Sequence, residues 1–174
     1  MESSSYVVSF VMQGLRHGAH TVRNFFKTRQ PEVIGLQEVK SAPGPKLNKV
    51  LNINGYKLIQ NNEDTAMLVR NNIKVKYQGR IIGFDLPHNL VRISTLKGQL
   101  NILNIYARSR MLRRDHLEYI ELLGINSIVL GDFNAKHLSL LPHNQIKKFN
   151  KNGHVLHNYL EGRDRNLPDI VNDY

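Results

Sequence analysis

The sequence predicts an α+β layered domain: two sheets stacked face to face, with helices on the outside. Three observations carry that expectation. Helical stretches lie toward both ends of the chain and bracket a block of consecutive strand-like runs between residues 56 and 107. That block is too long for one ordinary open sheet without packing partners, so two facing sheets are the economical arrangement. The 174 residues, with 41% hydrophobic content, suit a single domain, taken as 1–174, with a sizeable core.

The elements follow in order. "SYVVSFV" (5–11) is rich in β-branched and aromatic residues and reads as a strand. "AHTVRNFFKTRQ" (19–30) reads as a helix, because Ala19, Val22, Phe25 and Phe26 fall on one face and Pro31 ends it. "EVIGLQE" (32–38) reads as a buried strand and "KLNKVLNIN" (46–54) as a short helix. Five strand-like runs come next, at 56–60, 65–70, 73–84, 90–96 and 100–107, joined by Asn-Asn, Gly and Pro segments that favour turns. "RMLRRDHLEYIELLG" (110–124) is a helix closed by Gly124, with Leu112, His116, Tyr119, Ile120 and Leu123 along one face. "SIVLG" (127–131) is a strand, and "NGHVLHNYLEG" (152–162) is a helix stopped by Gly162.

Composition narrows the function classes. No apolar run reaches the roughly 18 residues that a membrane span needs, so no membrane partner is expected. The N-terminal "MESSSYVVSF" has no basic segment ahead of an apolar one, so secretion is not expected. Cysteine is absent, which rules out disulfides, thiolate metal sites and a cysteine nucleophile, and fits a reducing intracellular compartment. Lys and Arg number 24 against 14 Asp and Glu, a formal +10 with a pI near 9.9. Such an excess points to a polyanionic partner, most often nucleic acid. The richest basic stretch, "ARSRMLRR", carries Arg108, Arg110, Arg113 and Arg114; its plainer reading is the solvated first turn of a helix.

Three apolar runs end in residues that chemistry can use: "VIGLQE" at Glu38, "ILNIY" at Tyr106, and "IVLGDFN" at Asp132 and Asn134. Strand alternation projects Asp132 and Asn134 to one face, while Phe133 points the other way and can pack. If the strand ends cluster, two carboxylates, a phenol and an amide share one pocket. Such groups suit a hard, oxygen-binding cation, Mg2+ first, with Mn2+ as a substitute. Each residue also has a plainer reading: Glu38 a solvated strand end, Tyr106 a core residue with its hydroxyl tied off, Asp132 and Asn134 turn residues bonding local backbone. His137, just past this run, reads as a surface histidine.

"GLQE", "NIY" and "GDFNA", in that order, resemble the endonuclease–exonuclease–phosphatase superfamily, and in particular the apurinic-type endonuclease domains of non-LTR retrotransposons. "RNFFKTRQPEVIGLQE", "YKLIQNNEDTAMLVR" and "NKNGHVLHNYL" look like further segments of those domains. The resemblance implies a four-layer α/β/β/α sandwich that cuts phosphodiesters with Mg2+. It also implies roles: Glu38 binds the metal, Tyr106 stands near the scissile phosphate, Asp132 orients or deprotonates the attacking water, and Asn134 steadies the phosphate. The arginines after Tyr106 would lie at the mouth of the site and hold phosphates.

The resemblance also has gaps. Aligning on Gly14 and Leu15 puts Val11 where the family carries an asparagine, and a valine side chain neither donates nor accepts a hydrogen bond. Gln13 stands two residues away. Asp169 in "PDIV" matches an aspartate of the family's penultimate stretch, but the terminal Ser-Asp-His motif is not reached by Tyr174. Arg108 stands where the family usually has a proline. The expectation is a fragment or decayed copy of a retroelement endonuclease, lacking the last strands of one sheet and impaired in activity. DNA is its expected partner, with a reverse transcriptase domain in cis if the natural product continues, and the nucleus its place if it acts on chromosomal DNA. Two alternatives stay open: a non-catalytic nucleic-acid-binding module, and the same chemistry directed at a phospholipid or inositol phosphate.

Overall fold

The computed structural model describes residues 7–109, 111–137, 139–140 and 149–162, and the backbone of 169–172. Its first sheet holds β1 (Val7–Val11), β2 (Val33–Gln37), β3 (Tyr56–Ile59) and β4 (Ala66–Arg70), in the order β1-β2-β4-β3. The second holds β5 (Val75–Gly79), β6 (His88–Thr95), β7 (Gly98–Tyr106), β8 (Ser127–Asp132) and β9 (Asp169–Asn172), in sequence order. Both sheets are mixed: β1 runs parallel to β2, and β7, β8 and β9 run parallel, while the other neighbours are antiparallel. Among the described residues four helices flank the sheets: α1 (Leu15–Thr28), α2 (Pro45–Leu51), α3 (Arg114–Glu121) and α4 (Lys151–Glu161).

Side-chain alternation sorts these elements into the four layers of an α/β/β/α sandwich. Ile34 and Leu36 of β2 pack with Ala66 and Leu68 under the apolar stripe of α1 and Leu47 and Leu51 of α2. On the other face of the same strands, Val33, Met67 and Val69 meet Val91, Ile93, Ile102 and Leu130 of the second sheet. Leu103, Ile105 and Val129 point outward again, beneath Leu117 and Ile120 of α3 and Leu156 and Tyr159 of α4. The inner strands β2, β4 and β8 and the second half of β7 are thus covered on both faces, which explains why the sequence shows apolar runs there rather than strict alternation.

The two sheets are joined by polar contacts as well as by hydrocarbon. The Asn104 side chain, wholly buried, donates to the Leu36 carbonyl at 3.0 Å and the Ala66 carbonyl at 2.9 Å. The Gln37 amide donates to the Asn104 side-chain oxygen, and Ser9 donates to Gln37 at 3.2 Å. The sheets approach so closely that a Cβ at Gly35 would lie 1.9 Å from the Leu130 side chain and 2.7 Å from that of Asn104, so only glycine fits.

Several boundaries differ from the sequence reading. Helix α1 begins at Leu15, a full turn early, because Leu15 is buried in the same cluster as Ala19 and Val22 and extends their stripe. The run expected over 73–84 leaves the sheet after Gly79; Phe84 turns toward α3 instead and meets the His116 ring at 5.3 Å and the Tyr119 ring at 6.2 Å. The helix expected over 110–124 is confined to Arg114–Glu121, with Arg113 extended as its cap. Strand β9, not assigned from the sequence, pairs with β8. Among the described residues no helix is long and apolar enough to cross a membrane.

Candidate active site

Strand register brings two of the candidate residues together. Tyr106 and Asp132 end the neighbouring parallel strands β7 and β8 and are paired across them. Both share the parity of residues that face the other sheet, Ile102 and Asn104 before Tyr106, Leu130 before Asp132. They therefore stand at the end of the crevice between the sheets. Glu38 follows β2 of the opposite sheet at the same end, and its Oε1 accepts a hydrogen bond from the Tyr106 hydroxyl at 3.1 Å. Asn134 completes the group: its side-chain amide donates to Asp132 at 3.2 Å and to the Ala107 carbonyl at 3.1 Å, and its backbone N–H donates to Asp132 at 2.8 Å. The plainer reading of Asp132, a carboxylate closing its own turn, holds physically as well; the same bonds fix its orientation. Phe133 points away and is fully buried in the outer core.

Unusual backbone shapes the pocket. Gly131 has φ 152°, and a Cβ there would lie 2.0 Å from the Ile105 carbonyl oxygen, so glycine lets β8 lie tight against β7 just before Asp132. Glu38, Lys40 and Asn134 take left-handed φ values of 51°, 53° and 46°. Such conformations cost about 1–2 kcal/mol for a side chain with a Cβ and persist only where the surroundings impose them. Here Gly14 N donates to the Glu38 carbonyl at 2.7 Å and Val39 N to the Asp64 carbonyl at 3.0 Å, holding the turn after β2 against α1 and the 62–65 loop.

The turn puts Lys40 beside Glu38, with Nζ 2.8 Å from Oε2. That bond is the main reason the Glu38 carboxyl sits below its ordinary value; partial burial opposes it and the Tyr106 hydroxyl assists. Tyr106 is pushed well above the usual phenol range, first by burial and then by the charges of Glu38, Asp132 and Asp64. It is a neutral donor at any working pH.

The basic residues divide. Arg108 pairs with Asp64 at 2.8 Å while staying 60% exposed, and its charge helps to lower the Glu38 carboxyl. Arg113 is held by Asp85 and Asp115, and Arg114 by Glu118, which favours the plainer reading of these two as helix-start residues. Arg110 lies outside the described residues. Basic groups not singled out from the sequence stand on the other flank: Arg16, His17, Lys40 and Lys46 line a cleft of about 460 Å³ beside the Glu38 turn. Lys40 had one usable signal, an opposite charge two residues from Glu38, but its approach depends on left-handed backbone that the sequence does not announce.

Val11 ends β1 opposite Gln37, one residue before Glu38, so hydrocarbon lines that flank. Among the described residues no three His, Cys, Asp or Glu side chains form a ready-made metal cage. Mg2+ does not require one: it commonly uses one or two carboxylates together with substrate phosphates. Glu38 and Asp132 fit that demand, and the Lys40 ammonium already shows Glu38 compensated by a cation.

A sequence profile of the Endonuclease/Exonuclease/phosphatase family matches residues 12–165. No curated protein matches the chain. Among solved structures, the endonuclease domain of TRAS1, a telomere-specific non-LTR retrotransposon, superposes with a TM-score of 0.65 at 19% identity, over 89% of this chain and 70% of that one. The AP endonuclease LMAP from Leishmania major gives 0.62 at 14% identity, over 88% and 65%. The D. rerio TDP2 complexed with single strand DNA product gives 0.53 at 16% identity, over 70% and 55%. The chain thus spans less than two thirds of the last two. At such identities these likenesses establish the shared fold.

Proposed function

Because the chain belongs to the Endonuclease/Exonuclease/phosphatase family, we propose that it is a metal-dependent phosphodiesterase acting on DNA, the endonuclease domain of a retroelement, with Mg2+ as its cation. The observation that carries this reading is the meeting of Glu38, Tyr106 and Asp132 from two sheets at one end of the crevice. Glu38 would hold the Mg2+, which when bound neutralises phosphoryl oxygen charge and polarises the phosphorus. The chain's own groups do the rest. Asp132, held by both nitrogens of Asn134, orients a water and takes its proton as the water oxygen attacks phosphorus. The phosphorus–oxygen bond to the 3′ carbon breaks, leaving a 3′ hydroxyl once that oxygen takes a proton from solvent. Tyr106, neutral and preorganised, donates to a non-bridging oxygen as charge develops. Arg108 on one rim and Arg16, Lys40 and Lys46 on the other offer cations to the flanking phosphates.

In this reading a reverse transcriptase domain in the same polypeptide uses the new 3′ hydroxyl, and the nucleus is where chromosomal DNA is cut. Val11, which brings no polar group to the Glu38 flank, predicts weak activity and favours one rival: a module that binds nucleic acid without cutting it. Incubation of supercoiled plasmid with the protein and Mg2+ separates the two. Conversion to open circles that stops with chelator and with Asp132→Ala supports the enzyme. Retardation of the plasmid at low salt with no nicking supports the module.

A further inference from the structure

A concentration of unpaired positive charge lies on a different face, the layer that α1 and α2 make over the first sheet. We propose that this layer is a second nucleic-acid-binding surface, apart from the Glu38–Asp132 pocket, and that the cleft at its far end seats a single-stranded segment. The chain holds no Asp or Glu from residue 3 to 31 or from 39 to 62. Both helices fall in those stretches and carry Arg16, Arg23, Lys27, Lys46 and Lys49, all exposed. None of these five pairs with a carboxylate among the described residues, whereas Arg70, Arg108, Arg113 and Arg114 all do.

Helix electrostatics does not account for these charges. Lys27 and Lys49 stand in the last turns of α1 and α2, where cations offset the carbonyl ends. Arg16 and Lys46 stand in the first turns, where neither helix has an acid and a cation opposes the macrodipole. Positive charge placed there works against the fold, and an external polyanion is its physical counterpart.

The far end of this layer is shaped for a strand. A cleft of about 510 Å³ opens where α1 ends and β3 begins, and Arg23, Lys27, Arg70, Phe26, Tyr56 and Asn54 help to line it. It lies beside the start of β2, a strand's length or roughly 17 Å from Glu38. Phe26 and Tyr56 meet edge to face at 4.5 Å, and the Tyr56 hydroxyl donates to the Pro31 carbonyl at 2.8 Å, which fixes the ring. Arg23 is anchored by one nitrogen to the Val50 carbonyl at 3.3 Å. A Cβ at Gly55 would meet nothing within 4 Å, so that side stands open. A cationic groove with an aromatic wall is the form that single strands fit, phosphates on the cations and bases against the rings. A membrane is the poorer match: none of the large apolar side chains exposed among the described residues belongs to α1 or α2.

The surface does not depend on the nuclease reading, since a chain that cuts nothing can still bind a strand here. The test is fluorescence anisotropy of the full chain with a labelled oligothymidylate of about 12 nucleotides, a length within the usual single-strand site sizes, in the presence of chelator. Arg23→Gln with Lys27→Gln should weaken binding about tenfold and lower the salt slope by about 1.4, the share of two phosphate contacts. Arg113→Gln with Arg114→Gln removes the same net charge from the paired side of the molecule and should change the affinity by less than about twofold. Asn54→Glu, outside any helix, puts a carboxylate into the cleft and provides the same test if the α1 variant unfolds. Absence of strand binding overturns the proposal, and so do equal losses in the two double variants. Binding that falls with Arg108→Gln but not with the α1 variant overturns it too, as does binding to phosphatidylserine vesicles in place of the strand.

Discussion

Tyr106 is 8% exposed and gives its hydroxyl to Glu38, so its ring is core and its oxygen is site. Tyr106→Phe keeps the ring and removes the donor. The fold should lose only about 1 kcal/mol, the net worth of one hydrogen bond. Nicking should slow by about 10²–10³-fold, the usual cost of a transition-state donor, read as initial rates beside a thermal melt. A collapse of the fold together with activity would mark Tyr106 as structural only. A second residue-level prediction concerns acid. Asp85 accepts from Arg113 and from His116, which together lower its carboxyl to about 2. A folded-state value below the unfolded one, about 3.9, adds stability that is complete above the unfolded value and disappears as pH falls toward 2. The carboxylate is 59% exposed, so solvent keeps the effect under about 1 kcal/mol. Denaturant melts between pH 5 and 2 should show a loss in the parent that Asp85→Asn lacks. The same partners show what the sequence could not say of its arginines. "RMLRR" looks like an open basic patch until Asp85 arrives from 28 residues away. Asp132 and the outward turn of Phe133 were readable, because strand alternation fixes them. Asn134 reaches the same carboxylate through a left-handed turn rather than through alternation, and Lys40 through another.

At the scale of elements, legibility followed periodicity. The central strands and α4 stand within two residues of their expected bounds because each carries an unbroken apolar pattern. The misassigned stretches are those whose fate depends on distant packing: the start of α1, the start of α3, where Arg113 is drawn to Asp85, the departure of 80–84 toward α3, and β9, whose four residues pair with β8. The N-terminus of α4 is the element-level feature nearest the chemistry. Asn150 caps it by accepting from Gly153 N at 2.8 Å. The same oxygen accepts from Lys136 N at 3.0 Å, and the amide donates to the Asn134 carbonyl at 2.6 Å. One side chain thus closes the helix and holds the segment that orients Asp132. Asn150→Ala should cost about 2–4 kcal/mol, a lost cap plus an unpartnered loop amide, and should lower nicking in protein that is still folded. Asn150→Asp keeps the acceptor and loses the donor. It should recover most of the melting temperature without recovering the rate.

The whole molecule places Glu38 on one sheet and Tyr106 with Asp132 on the other, so any site built from them depends on how the sheets are set relative to each other. Hydrocarbon alone is a poor ruler, since apolar faces tolerate small slides. Asn104 is a better one. It stands two residues before Tyr106, crosses to the Leu36 and Ala66 carbonyls, and accepts from Gln37, the residue before Glu38. Its neighbour across the strands, Asn89 on β6, is equally buried, yet neither polar atom of its side chain has a protein partner among the described residues. The two asparagines should therefore respond in opposite ways to loss of the amide. Asn104→Ala strands two carbonyls and an amide in the interior, at about 1–3 kcal/mol for each group that stays dry. The melting temperature should fall by about 2–4 °C for each kcal/mol lost. Asn89→Val removes an amide that no protein group satisfies and should be neutral or stabilising by about 1 kcal/mol. Calorimetry on the pair, with nicking measured well below both melting points, tests the idea that Asn104 sets the crevice. In Asn104→Ala the rate should drop while plasmid retardation persists, and in Asn89→Val both should stay at parent levels. Equal losses of rate in the two variants would mean that general packing between the sheets, rather than this one amide, aligns Glu38 with Asp132.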